Sequence, residues 1–243
     1  MPSGEGPVVW FVGAGPGDPD LITVKGMRLL EEADVLVYAG SLVSLALVRK
    51  SGAAIRRDSM GMKLDEQVAF MAAHAQAGKK VVRLHSGDPS LYGAIVEQIV
   101  PLEEKGVRVR IVPGVSSLFG MAASLGSQLT QRGISDSLIV TRPAGKTLEQ
   151  DAIRELSASG ATMVVFLGTG QLESVLAKVQ YSPDTPAAVV YHATWPDQKI
   201  VRGTVADIAA KARAAGIERT ALLAIGGVFD PAHAGLDRSF LYS

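Results

Sequence analysis

Short apolar runs alternate along the chain with longer stretches in which apolar residues recur every three or four positions. Residues 8–12 form a continuous apolar run, which predicts a buried strand. Beyond a glycine-rich loop, Leu21, Ile22, Val24, Met27, Leu29 and Leu30 recur at helical spacing. Residues 35–38 read as a second strand and residues 64–77 as a helix closed by Gly78. A strand at 81–84, a helix at 91–105 stopped by Gly106, and a strand at 107–112 stopped by Pro113-Gly114 complete the first half. This rhythm of strand, loop and helix predicts a mostly parallel sheet with helices on both faces.

The second half repeats the rhythm less regularly. Strands are expected at 138–141, 162–167, 187–192, 199–201 and 221–225. The runs near 190 and 200 are joined by the short Trp195-Pro196-Asp197-Gln198 turn, which predicts an antiparallel hairpin and so a mixed sheet. The expected architecture is α/β in two domains, residues 1–115 and 116–243, dividing between Pro113 and Leu118. No internal repeat or low-complexity segment is visible.

Composition narrows the function. Among 243 residues, Lys plus Arg and Asp plus Glu are 24 each, so the formal charge is zero. A general nucleic-acid coat needs net basic surface, so nucleic acid is not an expected partner. The absence of cysteine excludes disulfides, thiolate zinc sites, iron–sulfur clusters and cysteine nucleophiles. The first seven residues lack the basic start and apolar stretch of a signal peptide, and no apolar run approaches ~18 residues. A cytoplasmic protein without a membrane partner is expected. None of His74, His85, His192 and His233 belongs to an H-E-x-x-H pattern or a close pair, so no metal site is expected. His85 and His192 sit at strand ends, where they can line a cleft.

Three loops at strand ends carry the candidate chemistry. Gly13-Ala14-Gly15-Pro16-Gly17-Asp18 follows the first strand, and its glycines permit close approach of the backbone to a ligand. It departs from the dinucleotide fingerprint. Asp18 stands where the third glycine belongs, Pro16 lacks the N–H that a pyrophosphate needs, and the second strand ends Val37-Tyr38-Ala39 without an acidic residue for a ribose. A tight turn without a ligand stays open as a reading. Ala144-Gly145-Lys146-Thr147 resembles the end of a P-loop, but Val140 replaces its leading glycine. His85-Ser86-Gly87-Asp88-Pro89 lies where ligands gather in parallel sheets, although Asp before Pro is also good turn chemistry. Pro113-Gly114-Val115-Ser116-Ser117 is not a nucleophile elbow, because Leu118 replaces the second glycine. Three such loops without shared phosphate chemistry suggest one polar, phosphate-poor ligand.

At these residues the sequence resembles the tetrapyrrole methyltransferase family. The resemblance rests on residues 12–23, then Arg83-Leu84-His85-Ser86-Gly87-Asp88-Pro89, Tyr92-Gly93, Val112-Pro113-Gly114-Val115-Ser116-Ser117 and Thr141-Arg142. Residues 38–43 and 191–198 look subtype-specific, similar to the corrin-building members that methylate carbon 11 of precorrin-4 or its cobalt form. The resemblance covers residues 8–228. It implies two α/β domains, S-adenosylmethionine as cofactor in the cleft between them with S-adenosylhomocysteine as product, and a homodimer. It implies cofactor contacts at Pro16, Ser86, Gly87, Asp88, Leu91, Ser116 and Ser117, and further contacts at Leu167, Ala193, Thr220 and Ala221. The chain departs from the family pattern where Gln131-Arg132-Gly133 follows Leu129-Thr130, and again at Asp136.

Methyl transfer from a sulfonium is an in-line displacement with a neutral leaving group, so positioning and exclusion of water do most of the work. No triad or metal is expected. Asp88 and His85 are the candidates for a catalytic base. The anionic tetrapyrrole substrate must meet local cations, of which Arg142 is the first choice, with Arg132, Lys146, Arg57 and Lys63 also available. The competing readings are a methyltransferase of the same fold acting on another porphyrinoid, an RNA or a protein, a dehydrogenase, and a non-catalytic binding module.

Overall fold

The computed structural model describes residues 6–146 and 148–232, so Thr147 and His233 lie outside the described residues. The chain divides into two compact units that meet in sequence at Ser117 and Leu118.

The first unit runs β1 (Val8–Gly13), α1 (Val24–Glu31), β2 (Val35–Tyr38), α2 (Leu45–Arg49), β3 (Ile55–Asp58), α3 (Leu64–Gln76), β4 (Val81–His85), α4 (Val96–Glu104) and β5 (Arg108–Val112). Its strands form one parallel sheet in the order β3-β2-β4-β1-β5. Alternate residues of the central strands serve two cores. Val12, Leu36, Val82 and Leu84 pack with Leu29 and Leu30 of α1 and Leu47 and Val48 of α2. Val9, Phe11, Val35, Val37 and Val81 pack with Val68 and Met71 of α3 and Leu102 of α4. Burial on both faces explains why β1 and β2 read as unbroken apolar runs and why β4 is apolar except at Arg83 and His85. The chain leaves β1 toward β2 on one side and β4 toward β5 on the other. The topological switch therefore falls between β1 and β4, where open α/β sheets bind their ligands.

Two expected helices begin later than their periodicity predicts. Leu21 closes a 3-10 turn, Pro19–Leu21, capped by the Asp18 carboxylate on the Asp20 N–H. Helix α1 then starts behind Thr23, whose hydroxyl accepts from the Gly26 N–H. Helix α4 begins at Val96 rather than 91, because Tyr92 (φ 56°) and Ala94 (φ 48°) are left-handed and no helix continues through them. The pattern also passed over α2 and β3. Strand β3 is an edge strand whose Ile-Arg-Arg-Asp sequence is polar, as exposed sheet edges commonly are.

The second unit contains α5 (Ser117–Leu125), β6 (Leu138–Thr141), α6 (Ile153–Ser157), β7 (Thr162–Val165), α7 (Leu172–Leu176), β8 (Pro186–Tyr191), β9 (Lys199–Thr204), α8 (Ile208–Ala214) and β10 (Ala221–Ile225). The sheet order is β6-β7-β10-β8-β9. Strands β6 and β7 are parallel, and β10 is antiparallel to both β7 and β8. The expected hairpin is the antiparallel pair β8–β9, and the sheet is mixed as expected. Leu222 and Ala224 of β10 pack on the α5 side, while Leu223 and Ile225 pack on the side of α6, α7 and α8. Among the described residues, no helix is long and apolar enough to cross a membrane.

Candidate functional site

In the first unit the three glycine loops meet at the switch point. Gly15 and Gly87 form an antiparallel bridge, with the Gly15 N–H donating to the Gly87 carbonyl at 3.2 Å and the Gly87 N–H to the Gly15 carbonyl at 2.8 Å. Both are left-handed, at φ 80° and 62°, which glycine tolerates without steric cost. The Ala14 N–H donates to the His85 carbonyl at 2.7 Å. The loop after β5 closes from the other side. A Cβ on Gly13 would lie 2.5 Å from the Gly114 Cα, and one on Gly114 would lie 2.3 Å from the Gly87 carbonyl oxygen. These glycines were expected to let the backbone approach a ligand. In the structure Gly13, Gly87 and Gly114 also approach one another.

Asp88 locks this arrangement. Its Oδ2 accepts from the Gly114 N–H at 2.8 Å, and its Oδ1 accepts from the Ser90 N–H at 2.8 Å and from the Ser90 hydroxyl. Burial pushes its pKa upward, but the bonds from Ser90 and Gly114 outweigh that and hold the carboxyl below the ordinary carboxylate range. Three of about four acceptor positions are occupied, leaving one on Oδ2. Asp88 is therefore an anchored carboxylate with one free acceptor, a poor base and a suitable ligand contact. Ser86 and Ser117 carry hydroxyls with no hydrogen-bond partner among the described residues. Pro16 and Ser116 are buried, Leu91 is half-buried in the loop before α4, and Ser117 opens α5. The stretch 38–43 joins the same rim, its Gly40 N–H donating to Asp58 Oδ1 at 3.0 Å.

His85 points away from this rim, into the core beneath it. It packs on Phe11 with ring centroids 5.0 Å apart, and its Nε2 is sealed with no partner among the described residues. Burial, helped by the charge of Arg83, lowers its pKa to about 3. At neutral pH it is uncharged and out of reach. Arg83, on the same strand face, is buried too. Its Nε and Nη2 reach Gln98 and Gln67, each at 3.3 Å. Burial lowers its pKa to about 10, against the opposing pull of Asp58, so it stays cationic. Arg83 was read only as part of a motif, and nothing in its spacing announced a buried charge.

The second unit builds its rim differently. Because β10 runs against β7 and β8, Thr220 and Ala221 at its start lie beside the ends of those strands. The His192 N–H donates to the Thr220 carbonyl at 3.3 Å, and the Thr169 hydroxyl donates to the Ala221 carbonyl at 3.0 Å. Leu167, His192, Thr194 and Thr220 are all left-handed, at φ 56°, 47°, 69° and 56°. Four non-glycine residues in that region on one rim mark stored backbone strain of the kind found at functional sites. Leu167 and Thr220 are expected cofactor positions, and a third, Ala193, lies between the other two strained residues. Leu167 is also 65% exposed, unusual for leucine.

The turn after β8 carries an arrangement the sequence did not reveal. His192 Nδ1 lies 3.0 and 3.1 Å from the two carboxylate oxygens of Asp197. The imidazole stacks on Tyr191 at 3.8 Å between centroids and on Trp195 at 5.0 Å. The hydrogen bond from His192 holds the Asp197 carboxyl below the ordinary carboxylate range. Gln198 Oε1 accepts from the Thr194 N–H at 2.7 Å and from the Ser124 hydroxyl at 2.6 Å, which ties the turn to α5.

The proposed substrate cations do not share one location. Arg142 directly follows β6, at the same sheet end as Leu167. Arg132 lies on the Gln131–Ser135 turn before β6, and that turn is bonded through the Ser135 hydroxyl to the N–H of Thr162, the first residue of β7. The structure thus separates Arg132 from Arg142. Exposed Lys146 belongs to a turn closed by Gly145 and Leu148, with neighbouring Ala144 held by Asp151.

Comparison with known proteins places this geometry. The family model for tetrapyrrole (corrin/porphyrin) methylases matches residues 8–209. A cobalt-precorrin-4 C(11)-methyltransferase of Methanocaldococcus jannaschii is 50% identical over 230 residues, covering 92% of this chain and 88% of that protein. The solved structure of a cobalt precorrin-4 methyltransferase, described as a cobalamin biosynthetic enzyme, has a TM-score of 0.89 at 44% identity, covering 92% of this chain and 96% of its own. A uroporphyrin-III C-methyl transferase from Thermus thermophilus, solved in complex with S-adenyl homocysteine, has a TM-score of 0.75 at 30% identity, covering 90% and 92%. Its glycine-knit parallel sheet, its strained mixed sheet and a family match that spans both make this chain a member of the tetrapyrrole (corrin/porphyrin) methylases.

Proposed function

We propose that the chain is an S-adenosylmethionine-dependent C-methyltransferase of cobalamin biosynthesis that methylates carbon 11 of precorrin-4 or cobalt-precorrin-4. The observation that carries this reading is the near full-length similarity to a cobalt-precorrin-4 C(11)-methyltransferase. The similarity to a uroporphyrin-III C-methyl transferase favours, as the second reading, the same chemistry on another porphyrinoid.

S-adenosylmethionine supplies an activated methyl on sulfur, and the chain's own residues bind it, orient it and exclude water. Its ribose and amino-acid end carry hydroxyls, an ammonium and a carboxylate but no phosphate. A rim with Pro16, the Ser86 and Ser117 hydroxyls and one free Asp88 acceptor suits that set. Gly87, Leu91 and Ser116 complete the contacts assigned to the first unit. Leu167, Ala193, Thr220 and Ala221 supply those of the second, and their fixed backbone supports this assignment. Arg142 meets the substrate carboxylates, with Lys146 on the turn that follows it, whereas Arg132 lies at the other end of the sheet and does not join them. The reaction transfers the methyl in line from sulfur to the ring carbon, and rigid alignment supplies several kcal/mol of the rate enhancement, of order 7–11 in well-oriented cases. We assign two domains that divide between Pro113 and Leu118, a homodimer, and a cytoplasmic location.

Calorimetric titration with S-adenosylhomocysteine, with NAD as control, tests the cofactor. Transfer of radiolabelled methyl from S-adenosylmethionine to cobalt-precorrin-4 tests the acceptor. Micromolar binding of the first ligand only, with label appearing in the macrocycle, is the expected result. Binding of NAD, or binding of S-adenosylhomocysteine without transfer to any tetrapyrrole, overturns the reading.

A further inference from the structure

We propose that His192, oriented by Asp197, is the proton acceptor of the methyl-transfer reaction. This rests on the proposed C-methyltransferase reading and adds a catalytic group to it. When a ring carbon of a pyrrole-type macrocycle attacks the methyl carbon, the new C–C bond forms from the electron pair shared with the adjacent ring nitrogen. The C–S bond breaks and sulfur keeps its pair, leaving a neutral thioether. The methylated ring is then a cation whose N–H has become acidic, and it returns to neutrality by losing that proton.

The two groups considered first are poorly placed to take it. His85 is sealed in the core and Asp88 is committed to Ser90 and Gly114. His192 has the geometry of a general base. One ring nitrogen is held by a carboxylate at 3.0 and 3.1 Å, which fixes the proton on Nδ1 and turns Nε2 outward as the acceptor. Nε2 has no hydrogen-bond partner among the described residues, and the side chain is 18% exposed. Two stacked rings fix the imidazole plane. The imidazolium that forms faces the Asp197 carboxylate and two aromatic faces, both of which stabilise a cation. Its backbone is held left-handed and is adjacent in sequence to Ala193, an assigned cofactor contact.

Within the second unit, the ionisable groups on the elements meeting His192 are Asp197 and Tyr191, Lys199, and Glu218 and Arg219. Lys199 lies opposite Tyr191 on β9 with its ammonium on the Ala215 carbonyl, and the last two precede Thr220. Among these groups in the described residues, Asp197 is the one hydrogen-bonded to the ring.

The test uses the full chain and variants that keep the left-handed backbone. His192→Asn and His192→Gly both tolerate positive φ. The expected result is unchanged S-adenosylhomocysteine affinity by calorimetry, with methyl transfer to cobalt-precorrin-4 slowed about 10²–10⁴-fold. Added imidazole partly restores His192→Gly. Asp197→Asn slows transfer by a smaller factor. Independently of activity, long-range ¹H–¹⁵N correlation of the labelled protein shows His192 as the Nδ1–H tautomer. Wild-type turnover in His192→Asn, an Nε2–H tautomer, or failure of imidazole to rescue a folded, ligand-binding His192→Gly overturns the proposal. Failure of the wild-type protein to transfer methyl at all overturns the functional reading instead, while the tautomer measurement still decides the dyad.

Discussion

The two sheet rims of this protein solve one problem in opposite ways. The rim of the first unit is made of backbone on backbone. Gly13, Gly15, Gly87 and Gly114 bring three loops into mutual contact, and Asp88 satisfies what they leave over. The rim of the second unit places leucine, histidine and threonines in a conformation that L-residues avoid, and holds them there with side-chain bonds from Asp197, Gln198 and Thr169. The first is a closed fabric in which a methyl added at Gly13 or Gly114 has nowhere to go. The second is a strained frame, with stability stored as conformation. Rigid polar positions come from the one, and side chains aimed by strain from the other.

The comparison is sharpest where a single methyl is added. Gly13→Ala puts a Cβ against the Gly114 backbone at 2.5 Å and the Gly87 carbonyl at 2.7 Å, and neither can swing aside. Urea denaturation should show a loss of about 3 kcal/mol or more, or no folded first unit. A milder result would mean that the three loops are not mutually locked.

The next effect is a dependence on pH. His85 has a pKa of about 3 when folded and an ordinary value near 6.5 when unfolded. The unfolded chain therefore binds the extra proton. Stability from keeping His85 neutral is complete above about pH 6.5 and is lost as the pH falls toward 3. The slope is about 1.4 kcal/mol per pH unit in that window. His85→Leu should flatten the fall measured by urea midpoints between pH 6 and 4.

Asp88→Asn removes a charged acceptor of the Gly114 and Ser90 N–H groups and should cost about 1.5–3 kcal/mol at pH 7. Its folded pKa is depressed, so its contribution is present above the ordinary carboxylate pKa of ~4 and disappears as the pH falls through the folded value. The variant should lack that acid limb. On the strained rim, Leu167→Gly exchanges relief of the left-handed backbone, about 1–2 kcal/mol, against the entropy of glycine, about 0.5–1 kcal/mol. Stability should move by less than about 1 kcal/mol. If the contact is to backbone, S-adenosylhomocysteine affinity should stay within about threefold. A large loss of stability there would show that the leucine side chain, not strain, organises the rim.

Much of the fold was legible in the pattern of residues. The buried strands β1, β2 and β10 are unbroken apolar runs because helices cover both faces, β4 is apolar except at Arg83 and His85, and the β8–β9 hairpin is marked by its turn. Strand β3 was not legible, because an edge strand carrying Arg56 and Arg57 lacks that signal. The late start of α4 was hidden because composition does not report that Tyr92 and Ala94 are left-handed. The glycine loops were visible as loops, and residues 12–23, 83–89 and 112–117 carried the family resemblance.

By itself the sequence determined the α/β class, the ends of the strands at which chemistry collects, and the family, since all three depend on local runs and ordered motifs. Only the tertiary structure decided that Gly13 and Gly114 touch each other, that His85 is sealed and neutral, and that Asp197 holds His192. Those facts depend on which backbone segments meet across a sheet and on how deeply a group is buried, and neither quantity is carried by a residue's neighbours in the chain.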